Sequence, residues 1–200
     1  MAEIVAETER LVLRREMPGD LAVWLEHINT PEVMDKVGGV QSPDQVAEGF
    51  AKMAAATAEG VLPFVFVARK ADGVLLGKCG LARIETSIAP DALKGSVQIG
   101  WTLGADHWSH GYAREAAEAI LELGFARLAL ATVFGQTSES NLASWRLMER
   151  LVMRRCAQLD YPDPDYPAEH NPTMVYRLDA ADWRSRLSAE VSHVPKHASV

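Results

Sequence analysis

Residues 104–116, GADHWSHGYAREA, decide the fold. They follow Ser96–Leu103 (SVQIGWTL), where Val97, Ile99 and Trp101 alternate with Gln98, Gly100 and Thr102 at the period of a strand. They lead into a stretch from Tyr112 to Arg127 whose Ala113, Ala116, Ala117, Ile120, Leu121 and Gly124 form one close-packed helical face. A loop that leaves a strand and opens a helix presents backbone N–H groups that the helix cannot satisfy, and such groups hold phosphate. Gly111 lets the backbone come close to such an anion. Taken alone, a small residue there serves the packing of helix on sheet equally well, so the loop acquires meaning only from its surroundings.

Upstream, Arg10–Arg15 (RLVLRR) reads as a strand with Leu11 and Leu13 on one side, ended by Pro18 and Gly19. Leu21, Trp24, Leu25 and Ile28 recur at helical spacing until Asn29, Thr30 and Pro31 stop the run. A second helix starts at Ser42, with Pro43 in its first turn, Gln45 completing a capping box, and Val46, Phe50, Met53 and Ala54 on its apolar face. Residues 62–85 hold two β-rich runs joined through Ala71, Asp72 and Gly73, a hairpin signal. A loop with Pro90 and Gly95 leads to the strand over 96–103. Downstream, the pattern predicts a strand over 130–136, a helix over 142–151, a strand over 152–160, and a loop marked by Pro162, Pro164 and Pro167. A last strand over 173–178 and a helix over 180–187 follow. One domain over 1–190 with a flexible tail at 191–200 is the expected organisation.

Composition narrows the classes of function. A net charge of −7 supplies no basic stripe for a nucleic-acid backbone, so nucleic acid is not an expected partner. The charged start, Met1 to Arg10, lacks an apolar leader core, and no run reaches the roughly 18 apolar residues that span a bilayer. Cys79 and Cys156 suggest neither a disulfide framework nor metal-ligand spacing. Together these features lead to the expectation of a metal-free cytoplasmic protein.

A second informative segment, 137–153 (TSESNLASWRLMERLVM), begins where the preceding strand ends. Asn141 there serves either to bond a ligand amide or to cap its own helix. The two segments together resemble the GNAT acetyltransferase superfamily, in particular its RimJ/RimL-like branch of ribosomal-protein N-acetyltransferases. Trp108, Gly111, Tyr112 and Ala113 match that branch's loop, while Ser109 and His110 depart from it. Asn141, Ala143, Ser144, Leu147, Met148 and Glu149 match its later motif. Leu151, Val152 and Met153 replace the usual Leu-Gly-Phe, which removes a glycine turn. The resemblance extends to Arg10–Arg15 and Ile99–Trp101, and so spans most of residues 9–178.

The resemblance implies an α/β (α+β) fold with a central mixed, mostly antiparallel sheet, flanked by helices and splayed between its fourth and fifth strands, here 97–103 and 130–136. It implies acetyl-CoA as co-substrate, a small-molecule or peptide amine as acceptor, and a possible homodimer. The Leu103 amide would hold the thioester carbonyl, next to Trp101. Trp108, Ser109, His110, Gly111, Tyr112, Ala113 and Arg114 would contact the cofactor through the pyrophosphate loop, with Asn141 and Ser144 beside it. Arg114 either reaches a phosphate or stays solvated at a helix start. Glu85, near the end of a strand facing the expected substrate side, is either the candidate base or an exposed glutamate. Gln98 stands where the branch often has glutamate, and an amide takes no proton near neutrality, which weakens any base carried over from the branch. Met148 stands where many members place a tyrosine acid and has no proton to give; Ser144 either contacts the cofactor and helps protonate sulfur or bonds backbone at its helix start. Tyr161, Tyr166, Trp108, His110 and Trp24 are candidates to shape the acceptor pocket. A silent CoA-binding sensor and a purely structural homologue are the competing readings.

Overall fold

A computed structural model describes residues 3–58 and 64–192, with the side chains at 57, 58 and 187–192 left undescribed. Leu62 and Pro63, which open the expected hairpin, and residues 193–200 of the expected tail lie outside the described residues. One eight-stranded sheet organises the chain in the order β1-β2-β3-β4-β5-β6-β8-β7. Its strands are β1 (Ile4–Glu7), β2 (Leu11–Arg14), β3 (Phe64–Arg69), β4 (Leu75–Arg83), β5 (Val97–Leu103), β6 (Thr132–Ser138), β7 (Arg154–Arg155) and β8 (Thr173–Asp179). Every pairing is antiparallel except β5 with β6. The strand expected at 130–136 begins two residues later. Ala129 turns the chain at φ 52° and the Leu130 amide bonds Gly124, so Leu130 closes the preceding helix.

The mixed, mostly antiparallel sheet flanked by helices is the architecture expected. Helices α4 (Tyr112–Glu122), α5 (Leu142–Arg150) and α6 (Ala180–Ser192) cover one face, where Ala116, Ala117, Ile120, Leu121, Leu147 and Trp183 meet Leu11, Leu13, Cys79 and Ile99. Helix α4 continues as a wider turn over Leu123–Arg127. Helices α1 (Asp20–Val23), α2 (Pro31–Met34) and α3 (Pro43–Ala58) cover the other face, with Trp24, Ile28, Val46 and Phe50 packed on Phe66 and Leu75. The Ser42–Gln45 capping box forms reciprocally: the Ser42 amide donates to Gln45 and the Gln45 amide to Ser42. Thr30 and Pro31, read as a stop, also start α2: Thr30 caps Val33 and Pro31 occupies the first turn.

Buried Arg14 and Asp20 tie α1 to β2 through paired bonds of 2.7 and 2.9 Å. The strand expected at 152–160 shortens to Arg154–Arg155, after which Ala157–Leu159 forms a tight helical turn. The chain still follows β8, because the Asp160 carboxylate accepts the Val175 amide at 3.0 Å and Tyr161 bridges Thr173. β1, a four-residue run (IVAE) not read as a strand from sequence, pairs β2 across a bulge.

Candidate active site

The sheet opens where β5 meets β6. Their parallel ladder holds only Gln98 against Phe134 and Ile99 against Gly135, although both strands run on. Antiparallel pairing alternates, and the Gly104 amide bonds Leu76 at 2.9 Å while the Ile84 amide bonds Ser96 at 2.8 Å. That register turns the backbone groups of Gly100 and Thr102 towards β4 and those of Trp101 and Leu103 towards the gap. The Leu103 carbonyl accepts the Trp108 indole N–H at 2.8 Å, while the Leu103 amide faces the opening. An amide fixed in that way is a donor that needs no reorganisation to meet an oxyanion.

Beyond β5 the chain makes one tight turn over Ala105–His107 and then forms the loop into α4. Three braces shape that loop: the Trp108 bond, the His110 ring N–H on the Trp108 carbonyl at 2.7 Å, and Arg10 on the His110 carbonyl at 3.0 Å. Ser109 at φ 61° and Gly111 at φ 81° take left-handed conformations that turn the loop's backbone. Gly111 occupies the cap position of α4 with no side-chain cap, and the first backbone bond of the helix runs from Glu115 to Gly111. The amides of Tyr112 and Ala113 therefore stand at the positive end of the helix with no partner inside it. The Tyr112 ring is buried in the core, so this residue offers its backbone rather than its hydroxyl. Arg114 pairs with Glu118 at 2.8 Å. Glu115 is ringed by Thr8 and Arg10. Burial pushes its carboxyl up, but those hydrogen bonds outweigh burial and hold it below the usual range.

On the other side of the gap lies a cleft of about 380 Å³. Its walls include Trp101, Asn141, Ser144 and Glu85, so the structure brings these candidates together. Leu103 and residues 108–114 are not among the lining residues and lie past the end of β5. Asn141 caps α5 through the Ser144 amide at 3.3 Å, which leaves its side-chain N–H groups for another partner. Ser144 is half-buried with its backbone bonded to that cap, and Glu85 is exposed at the rim. Gln98 accepts from Gln136 at 2.6 Å, and Gln136 accepts from the Tyr161 hydroxyl at 2.5 Å. Burial, with Asp163 and Tyr166 adding, pushes the Tyr161 phenol up to about 12, so it acts as a donor near neutrality. Met148 is buried at the cleft floor with its sulfur over Gly135.

Of the aromatic residues expected to shape an acceptor pocket, Tyr161 and Tyr166 line the cleft, whereas Trp24 is buried in the helical layer and Trp108 and His110 belong to the other loop. Gln136, Ser138, Ser140 and His170 were not singled out by sequence. Gln136 and Ser138 lie on the predicted strand and the segment after it, but His170 carries no spacing signal and reaches the cleft only through tertiary folding. Among the described residues, no cluster of His, Cys, Asp or Glu suits a metal ion, and no helix is long and apolar enough to cross a membrane.

Comparisons with known proteins fit this geometry. A family model described as an acetyltransferase (GNAT) domain matches residues 10–154. An uncharacterized N-acetyltransferase, p20, from Bacillus licheniformis is 28% identical over 151 residues, 74% of this chain and 81% of that protein. The crystal structure of an acetyltransferase from Agrobacterium tumefaciens superposes with a TM-score of 0.71 at 24% identity, covering 86% of this chain and 92% of that one. A GCN5-related N-acetyltransferase from Brucella melitensis gives a TM-score of 0.73 at 17% identity, covering 100% of this chain and 89% of that one. At these identities the two structures speak for the fold alone.

Proposed function

Because this chain belongs to the GNAT acetyltransferase family, we propose that it moves an acetyl group from acetyl-CoA to a primary amine by direct attack within a ternary complex. One observation carries this reading: the β5–β6 ladder stops at Ile99 and Gly135, and the amides of Trp101 and Leu103 then face an open gap. In this proposal the pantetheine arm enters that gap and the Leu103 amide bonds the thioester carbonyl, where negative charge grows as the amine attacks. The amides from Ser109 to Arg114 hold the pyrophosphate at the uncapped start of α4. Asn141 gives its free amide N–H groups to the arm, and Ser144 stands near the sulfur as a proton donor.

The amine must attack as a neutral base, because an ammonium has no lone pair. Glu85 and Asp163 line the cleft, which favours a cationic acceptor over an acidic one. Within this reading the RimJ/RimL-like motif gives a peptide N-terminus an edge over a small amine. Gln98 and Met148, at positions where relatives often carry an acid or a tyrosine, favour a second reading: a CoA binder without turnover.

Thiol release from acetyl-CoA, followed against a panel of N-terminal peptides, polyamines and simple alkylamines, tests the choice. Acceleration by any amine supports transfer, and the best acceptor names the substrate. Binding without release supports the silent binder.

A further inference from the structure

Beside the cleft, three side chains form a continuous hydrogen-bonded line. The Ser138 Oγ lies 2.9 Å from the Ser140 Oγ, which lies 2.8 Å from the His170 Nδ1. The far nitrogen, His170 Nε2, faces the Asp35 carboxylate at 3.8 Å. Ser138 and His170 are each only 7% exposed, yet both line the cleft alongside Trp101 and Ser144. Three sequence-distant regions supply the line: the loop after α2, the end of β6 with the residues just beyond it, and the short turn Ala168–His170.

We propose that Ser138, Ser140 and His170 form a proton relay that deprotonates the acceptor, so the acceptor is a primary amine, of a peptide N-terminus or of an alkyl chain, that arrives as an ammonium ion. This rests on the acetyltransferase reading given above. The ammonium gives a proton to the Ser138 oxygen, Ser138 passes its own proton to Ser140, and Ser140 passes its own to the His170 Nδ1. The products are a neutral amine and an imidazolium whose Nε2–H faces Asp35. The amine nitrogen then bonds the acetyl carbon, the carbon–sulfur bond breaks, and the proton shed by the nitrogen leaves with the CoA thiol. His170 returns its proton to solvent past Asp35, whose side chain is 53% exposed.

The charges around His170 suit this role. Lys36, by hydrogen bond and then by charge, holds the Asp35 carboxyl below its usual range, and His170 adds to the effect. Asp35 is therefore a carboxylate near neutrality, and Lys36 is already paired with it at 2.7 Å. Asp163 and Glu85 line the same cleft, and Glu169 adjoins His170 in its turn. Tyr161 and Tyr166 complete the titratable surroundings, both pushed up mainly by burial and so neutral. Ser138 touches the acceptor, whereas Ser140 and His170 are positioning residues that act through it.

Two variants and one spectrum test the relay in the full chain. His170→Gln keeps a polar partner for Ser140 but accepts no proton, and Ser140→Ala breaks the line while leaving the imidazole. Both are expected to bind acetyl-CoA as the wild type does and to lose about 100-fold in kcat/KM at neutral pH with an alkylamine acceptor. The loss is expected to shrink as pH rises and free amine accumulates. An equal loss at every pH, or none, overturns the relay. Nitrogen-15 NMR of the side chains in the acetyl-CoA complex is expected to show His170 protonated at Nε2 and bare at Nδ1. Binding of acetyl-CoA with an Nδ1–H tautomer overturns the relay alone. A wild-type protein that takes no acetyl-CoA overturns the functional reading and the relay with it.

Discussion

Val152 sits at φ 57°, a left-handed conformation that a β-branched residue adopts at a cost. The sequence replaces a glycine there, and the expected result is a lost turn. Instead the turn persists: the Val152 amide bonds Glu149 and the Met153 amide bonds Met148, which closes α5 as a glycine would. The strain is tolerated because Leu151 and Met153 on either side are anchored in the core. Val152→Gly should therefore stabilise the protein by about 1 kcal/mol, the left-handed penalty less the added freedom of the unfolded chain. Thermal unfolding should show Tm rising by about 2–4 °C. Residues whose role lies in the backbone or in a local motif, such as Gly111 and Asn141, were legible from sequence. His170 was not, because 30 residues separate it from Ser140 and no local pattern includes it. Gln98 was legible as a non-base, but its bond to Gln136 depends on the register of β5 against β6.

At the level of elements, the gap depends on β5 remaining straight against β4 while parting from β6. Gly77 makes that approach possible. A Cβ there would lie 2.0 Å from the Thr102 carbonyl oxygen and 2.8 Å from the Leu103 Cα, both backbone atoms that cannot swing aside. Gly77→Ala should push β5 away at the residue proposed to hold the thioester, costing at least about 3 kcal/mol of stability. Denaturant titration measures that loss, and acetyl-CoA binding by the folded fraction should weaken with it. Gly135 is also tight, but its neighbours are the flexible ends of Met148 and Met153, so an alanine there is the milder change. Most elements were visible in hydrophobic period. The departures arose where hydrogen bonds outranked that period: the Leu130 amide taken up by a helix end, the Asp160 carboxylate standing in for a strand carbonyl, and β1 paired with β2 across a bulge.

At the level of the whole molecule, the sheet separates two helical layers and opens between its fifth and sixth strands, with the uncapped α4 start near the end of β5 and the cleft along β5 and β6. The resemblance carried by the loop into α4 and by residues 137–153 implied this architecture, and the order of elements read from hydrophobic period agrees with it. The shape of the cleft was not readable, because its walls come from six separated stretches of chain. The central claim is that acetyl-CoA binds across that gap with its pyrophosphate on the α4 loop. Gly111→Val tests the loop directly, since φ 81° strains any side chain and a β-branched one most. Isothermal titration of acetyl-CoA into the wild-type protein and this variant is the deciding measurement. One site per chain in the wild type, weakened about tenfold or more in a variant that still unfolds cooperatively, is the predicted result. No binding by the wild type, or equal affinity in both proteins, would contradict it.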